Sequence, residues 1–176
     1  MASKRCFISV FLTEFLLIMQ PNIGIQEQHR STIASELSKL VADEYILYTK
    51  TRNAHWNVVG PDFSTMHAFF ESQYDQLNEI IDEVAERVRA LGYRSPGSLQ
   101  EFLDLTQLSE SPQEIRSSLD FIEELLADHE SIIRSLRPNI ERFETALGDA
   151  GTADFITTLV EQHEKMAWML RAHLAE

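Results

Sequence analysis

One cysteine, six glycines and five prolines are all that 176 residues contain of these types, and indole side chains number two. A lone Cys6 excludes an internal disulfide framework and any zinc site built from cysteines, and it accords with a reducing cytoplasm. With so few glycines and prolines there are few turns, so long uninterrupted elements are expected. Positive charge is also scarce. Fifteen Lys and Arg against 28 Asp and Glu leave a net charge of −13. Such a chain has no general attraction for nucleic acid or for an anionic membrane, whereas metal cations are drawn to it. The longest apolar run, residues 6–19, is interrupted by Glu14 and falls short of the ~20 residues that span a bilayer.

What is present suits one compact domain: 44% of the residues are apolar, with no internal repeat or low-complexity tract after residue 20. Residues 1–20 stand apart as an N-terminal extension, with Lys4 and Arg5 ahead of the apolar run, and residues 21–176 form the domain. Three readings of residues 1–18 are open: a natural extension, an upstream start with the natural one at Met19, and an export signal that lacks a small-residue cleavage site.

Helical periodicity dominates the rest. Ile33, Leu37, Leu40, Val41, Tyr45, Leu47 and Tyr48 recur at helical spacing in a first helix from Ile25 to about Asn57. Gly60-Pro61 breaks the chain, and Asp62 is the expected N-cap of a second helix. Its stripe runs through Phe63, Met66, Phe70, Tyr74, Leu77, Ile81, Val84, Val88 and Leu91 to Gly92. A longer connection, residues 92–111, holds a short helical stretch, SLQEFLDLT. Ser111-Pro112-Gln113-Glu114 reads as a capping box opening a third helix that runs to about Gly148 and carries Pro138 inside it. GDAGTAD is the next turn, and a fourth helix covers about Ala153 to His173. The expected fold is all-α: a ferritin-like four-helix bundle with a short extra helix in the connection between helices two and three.

Two histidines flank the sharp corner, His55 beside Trp56 and His67 in the second helix. At 100° per residue, His67, Glu71, Asp82 and Glu86 share a side that spans about 100° and lies away from the apolar stripe. Imidazole with carboxylates suits iron or zinc. Along one straight helix, however, His67 and Asp82 are roughly 22 Å apart, far beyond a shared ion. Two readings remain. The stripe is a solvated acidic face, or two copies of the chain pack these helices antiparallel about a two-fold axis. The second places His55 and His67 of one copy beside Asp82 and Glu86 of the other, twice per dimer.

The stretch HWNVVGPDFSTMHAFFESQYDQLNEIIDEVAERVRALG, residues 55–92, resembles the Dps family, DNA-protection-during-starvation proteins, the small ferritins of bacteria and archaea. His-Trp-Asn, Gly-Pro-x-Phe, the second His and Asp-x-x-x-Glu-Arg carry the likeness, which extends through GDAGTAD and HEKMAWMLRAH over about residues 25–175. The resemblance implies His55 and His67 as iron ligands from one subunit, Asp82 and Glu86 from its two-fold mate, and Glu71 lining this intersubunit di-iron site. It implies that Trp56 adjoins the centre and that Asp149 and Asp154 line a three-fold entry pore, although Thr158 stands where relatives often carry an acid. Arg87 is expected to orient a carboxylate of the site. The implied activity is a ferroxidase that oxidises Fe(II), with hydrogen peroxide preferred over dioxygen, and stores ferric mineral in a cytoplasmic homo-dodecamer. Zinc binding in vitro suits the same ligands. A nucleoid-associated, DNA-compacting role is the alternative, and scarce basic residues at both termini predict weak or absent DNA binding. A di-iron oxygenase would need paired Glu-x-x-His motifs, which this chain lacks. His29, His129, His163 and His173 are expected to be surface or hydrogen-bonded structural residues.

Overall fold

The computed structural model describes residues 21–110 and 117–175. The expectations for residues 1–20 and for the Ser111–Glu114 capping box lie outside the described residues. Every regular element among those described is helical: α1 (Glu27–Asn57), α2 (Phe63–Ala90), the short α3 (Leu99–Leu105), α4 (Ser118–Glu141) and α5 (Ala150–Ala172). The two long hairpins α1–α2 and α4–α5 pack into a bundle, and α3 lies on α1 with Phe102 stacked on Tyr45 at 4.3 Å. No described helix is long and apolar enough to cross a membrane.

The bundle interior follows the helical period. On α2 the buried positions are Met66, Phe70, Gln73, Leu77, Ile80, Val84 and Val88, steps of three and four. The stripe is thus turned slightly from the expected one: Ile80 rather than Ile81 is buried, and Phe63 is 43% exposed. The helix closes as anticipated. Leu91 is the C-cap, and Gly92 follows with φ +94° where a Cβ would meet Pro21 at 2.6 Å.

Several caps differ from the sequence expectation. Asp62 occupies the N-cap position of α2, yet its side chain makes no capping bond and instead accepts from Ser118 Oγ at 2.5 Å, joining the starts of α2 and α4. The capping box of α4 is Ser117 with Asp120. Helix α4 continues through Pro138 and gives way at Arg142–Ala146 to a π turn, in which Leu147 N–H donates to Arg142 O at 3.0 Å. Helix α5 starts at Ala150, three residues earlier than expected, because the Asp149 carboxylate accepts from Thr152 N–H.

Buried charge ties the crossing connection down. Asp43, 3% exposed, accepts from Thr106 Oγ1 at 2.7 Å and Gln107 N–H at 2.6 Å. Lys50 donates to Ser109 O at 3.0 Å and pairs with Glu124 at 2.9 Å and Asp128 at 2.5 Å. One lysine on α1 therefore holds both the connection and α4, and burial pushes the Asp128 carboxyl upward despite it.

Candidate metal centre

The corner between α1 and α2 is short because Val58 N–H still bonds Ala54 O while Gly60, at φ +133°, turns the chain before Pro61. His55 in the last turn of α1 and His67 in the second turn of α2 are thereby brought face to face. Their rings stack with centroids 3.7 Å apart and planes 23° apart. Each Nδ1 lies 2.8 Å from the other residue's backbone carbonyl. A carbonyl only accepts, so each Nδ1 carries a proton, and in the neutral imidazole the lone pair then falls on Nε2. The His55 carbonyl is available because it belongs to the last turn of α1, where no later N–H claims it. An imidazole anchored through Nδ1 to a backbone carbonyl, with Nε2 left over, has the arrangement that metal-bound histidine adopts. Anchored in this way, the two Nε2 donors fit a metal ion.

Around this pair stand Phe63, whose ring centroid is 5.1 Å from that of His67, and Tyr74, edge-on to His55 at 5.2 Å. Tyr74 Oη donates to Glu71 Oε1 at 3.2 Å. Partial burial and the Glu71 carboxylate push the Tyr74 phenol above its ordinary value. Arg52 lies over three rings, Tyr74 at 4.8 Å, Trp56 at 4.9 Å and Tyr48 at 5.5 Å, and donates to Tyr48 Oη at 2.6 Å. Trp56, Val59 and Phe63 are 62%, 56% and 43% exposed, an apolar rim beside the histidines. Glu71 is exposed, one turn after His67.

Asp82 and Glu86 are exposed on the far half of α2 and have no ion-pair partner among the described residues. They are not brought to the histidines within one chain, and among the described residues no three His, Cys, Asp or Glu side chains of a single chain converge on one point. Arg87 does hold a carboxylate, that of Asp149: its Nη2 lies 3.2 Å from Oδ1, and both its Nε and Nη2 donate to Thr152 Oγ1. Asp149 is buried, capping α5 and pairing with α2, while Asp154 is exposed. A carboxylate that lines a pore must face water, so of the two acids expected there only Asp154 is accessible in the protomer.

A second polar cluster escaped the sequence reading. Glu44 on α1, His129 on α4 and His163 on α5 are at most 1% exposed, and Gln73 on α2 is buried with them in the bundle interior. The Nδ1 atoms of the two histidines are 2.9 Å apart, and His163 Nε2 is 2.9 Å from Glu44 Oε1. The two atoms are in contact but make no directed hydrogen bond. Burial, and then His163, hold the His129 imidazole well below the ordinary histidine range. The overlooked signal was polar residues in register with apolar stripes: Glu44 continues Leu37 and Val41, and His129 falls between Leu125 and Ile132. His29 and His173, expected to be surface or hydrogen-bonded structural residues, approach backbone carbonyls of Leu147 at 3.0 Å and Met169 at 2.9 Å.

Comparison with known proteins gives the same fold and family. Residues 34–176 match the Ferritin-like domain model. A low-temperature-induced protein of Nostoc sp. is 42% identical over 153 residues, 87% of this chain and 86% of that one. DNA protection during starvation protein 2 of Bacillus anthracis is 35% identical over 138 residues, 78% of this chain and 93% of that one. The crystal structure of the Dps protein from Vibrio cholerae, described as a member of the ferritin-like diiron-carboxylate superfamily, superposes with a TM-score of 0.84 at 30% identity, covering 89% of this chain and 97% of its own. With the bundle, the short α3 in the crossing connection and the histidine corner in place, these likenesses make the chain a member of the Dps family of ferritin-like proteins.

Proposed function

We propose that this chain is the subunit of an iron-storing mini-ferritin that oxidises Fe(II) at sites shared between two copies. The observation that carries this reading is the pair His55 and His67, each anchored through Nδ1 to the other's carbonyl at 2.8 Å and each offering a basic Nε2. Fe(II), the substrate, is bound by these two nitrogens and by Asp82 and Glu86 of a second copy, with Glu71 lining the site. Hard carboxylate oxygens hold Fe(III) more tightly than Fe(II) and so favour its oxidation. Two irons side by side deliver two electrons to hydrogen peroxide, the preferred oxidant, which leaves as water. Dioxygen serves as the slower oxidant. Zinc competes for the same donors in vitro.

The apolar rim favours a second copy. Trp56, Val59 and Phe63 form an exposed patch next to the donors, the kind of surface that subunit contact covers. A two-fold axis relating antiparallel α2 helices places the carboxylates of one copy against the histidines of the other and generates the site twice. The same reading gives a closed dodecamer with mineral inside, Fe(II) entering past Asp154, and Trp56 flanking the site, while Arg87 is taken up by Asp149 and Thr152. With a net charge of −13, binding to DNA is weak or absent. A complex that survives about 0.2 M salt in a gel shift would contradict this, since contacts resting on few cations weaken steeply there.

Complementation tests the shared site. His67→Ala and Asp82→Ala shells each lose peroxide-driven Fe(II) oxidation. Co-assembled at equal amounts, half of the dimers are mixed and each mixed dimer has one intact site of two, so about a quarter of wild-type activity returns. A mixture no more active than its parents overturns the intersubunit site.

A further inference from the structure

A site that takes His67 from one copy and Asp82 and Glu86 from another fixes how two α2 helices lie against each other. Along antiparallel helices related by a two-fold axis, positions equally far from the axis face one another. With His67 level with the stretch from Asp82 to Glu86, the axis passes beside Asp75 and Gln76. At 100° per residue from His67, Asp75 lies at about 80° and Asn78 at about 20°, inside the arc that holds the four residues of the site, whereas Gln76 is turned away. The same register sets Arg89, the one exposed arginine of α2, opposite Asp62 of the second copy, so opposite charges meet at both ends of the contact. Asp75 and Asn78 are exposed, and neither has a hydrogen bond or ion pair among the described residues. Near the axis each Asp75 carboxylate approaches its own copy, which like charge disfavours unless a donor answers it. Ser72 and Gln76 are already committed to their own helix, donating to Phe69 O and Ser72 O at 2.7 Å. Arg52, which senses the Asp75 charge, donates instead to Tyr48 Oη at 2.6 Å. The Asn78 amide is the donor left.

We propose that Asp75 and Asn78 form a reciprocal latch at the two-fold axis, the Asn78 amide of each copy donating to the Asp75 carboxylate of the other. The inference rests on the shared-site reading above and deepens it. The partner is a second copy of this chain, because the surface is complementary to itself and one two-fold rotation makes both bonds at once. Asp75 and Asn78 are positioning residues: they touch no iron and set the register in which ligands from two chains meet. A slip of one helical turn, about 5.4 Å, carries Asp82 and Glu86 out of reach of bonds that are about 2 Å long.

The test exchanges the partners. Asn78→Asp keeps the side-chain shape and, at an exposed helix position, leaves the fold of the single chain intact, but it gathers four carboxylates about the axis. Sedimentation of the full chain across a dilution series reads association, and absorbance reads Fe(III). Association is expected to weaken about 100-fold, with iron oxidation falling in step although every iron ligand is still present. Asp75→Asn combined with Asn78→Asp restores an amide opposite each carboxylate in the exchanged order, and both readouts recover. Unaltered association in Asn78→Asp, or a double variant no better than Asn78→Asp alone, overturns the latch. Complementation between His67→Ala and Asp82→Ala tells this failure from the other: if activity returns there while Asn78→Asp has no effect, the shared site stands and only the latch falls, and if none returns both fall.

Discussion

His55 and His67 face each other across the α1–α2 hairpin, and His129 and His163 do so across α4–α5. In the first pair each imidazole spends Nδ1 on a backbone carbonyl, so both Nε2 atoms stay available near the surface. In the second the Nδ1 atoms meet one another at 2.9 Å and His163 Nε2 is drawn to Glu44, all three side chains being almost wholly enclosed. The first pair flanks a corner where the chain doubles back, so each ring faces the other residue's carbonyl: that of His55 lies in the last turn of α1 without a later N–H partner, and that of His67, inside α2, takes the imidazole as a second donor. The second pair joins mid-helix positions of α4 and α5, where each ring faces the other ring and Glu44 rather than a carbonyl. What stands opposite Nδ1, a carbonyl or a second side chain, thus separates a histidine pair with coordinating capacity from one that consumes it.

The largest effect is expected where the enclosed pair is broken. His163→Ala strips the buried Glu44 carboxyl of its imidazole neighbour, and a buried polar group left without a partner costs about 1–3 kcal/mol. Denaturant melts measure it, and a loss below about 1 kcal/mol would mean that the enclosed cluster does not hold the bundle together. At the corner the consequence is kinetic. His67→Ala slows iron oxidation by about 10- to 100-fold, the range seen when groups supporting a metal site are removed. Stability there moves by no more than about 1 kcal/mol, as for other partly exposed side chains. Stopped-flow absorbance with melts of the same variant separates the two, and a normal rate in this variant removes the proposed centre.

A pH series gives the smallest and most selective contrast. The His129 value is depressed in the folded chain, so the unfolded chain binds the additional proton first. Its contribution is complete above the unfolded value of about 6.5 and declines as pH falls toward the folded value, at up to about 1.4 kcal/mol per pH unit. His129→Gln should flatten the stability profile below about pH 6.5, whereas His67→Ala should leave that slope unaltered. Parallel profiles for wild type and His129→Gln would show that the enclosed imidazole does not govern acid sensitivity.

Much of the bundle was legible in the amino-acid order. The apolar steps of α2, its close at Gly92 and the corner at Gly60-Pro61 follow from period and from residues that only tolerate certain backbone angles. Caps were less legible. Asp62 and Ser117 are both good capping residues in isolation, but Asp62 is claimed by Ser118 across the bundle, a partner 56 residues away. The cap of α5 shows the same reach: Asp149 accepts from Thr152 N–H within its own turn, but is also held by Arg87, a partner 62 residues away.

Local sequence by itself determined the helices, the stripe each buries, the rarity of positive charge and the two histidines at the corner, because these depend on neighbours within a few residues. It also determined that His67 and Asp82 cannot share an ion along one helix, since the rise per residue is invariant. Tertiary structure alone decided which nitrogen of each imidazole is spent, that Arg87 serves Asp149, and that Glu44 and two histidines from three helices meet in the core. The physical reason is reach. A hydrogen bond or ion pair selects by distances of about 3 Å, and residues many turns apart attain them only after the hydrophobic faces have packed.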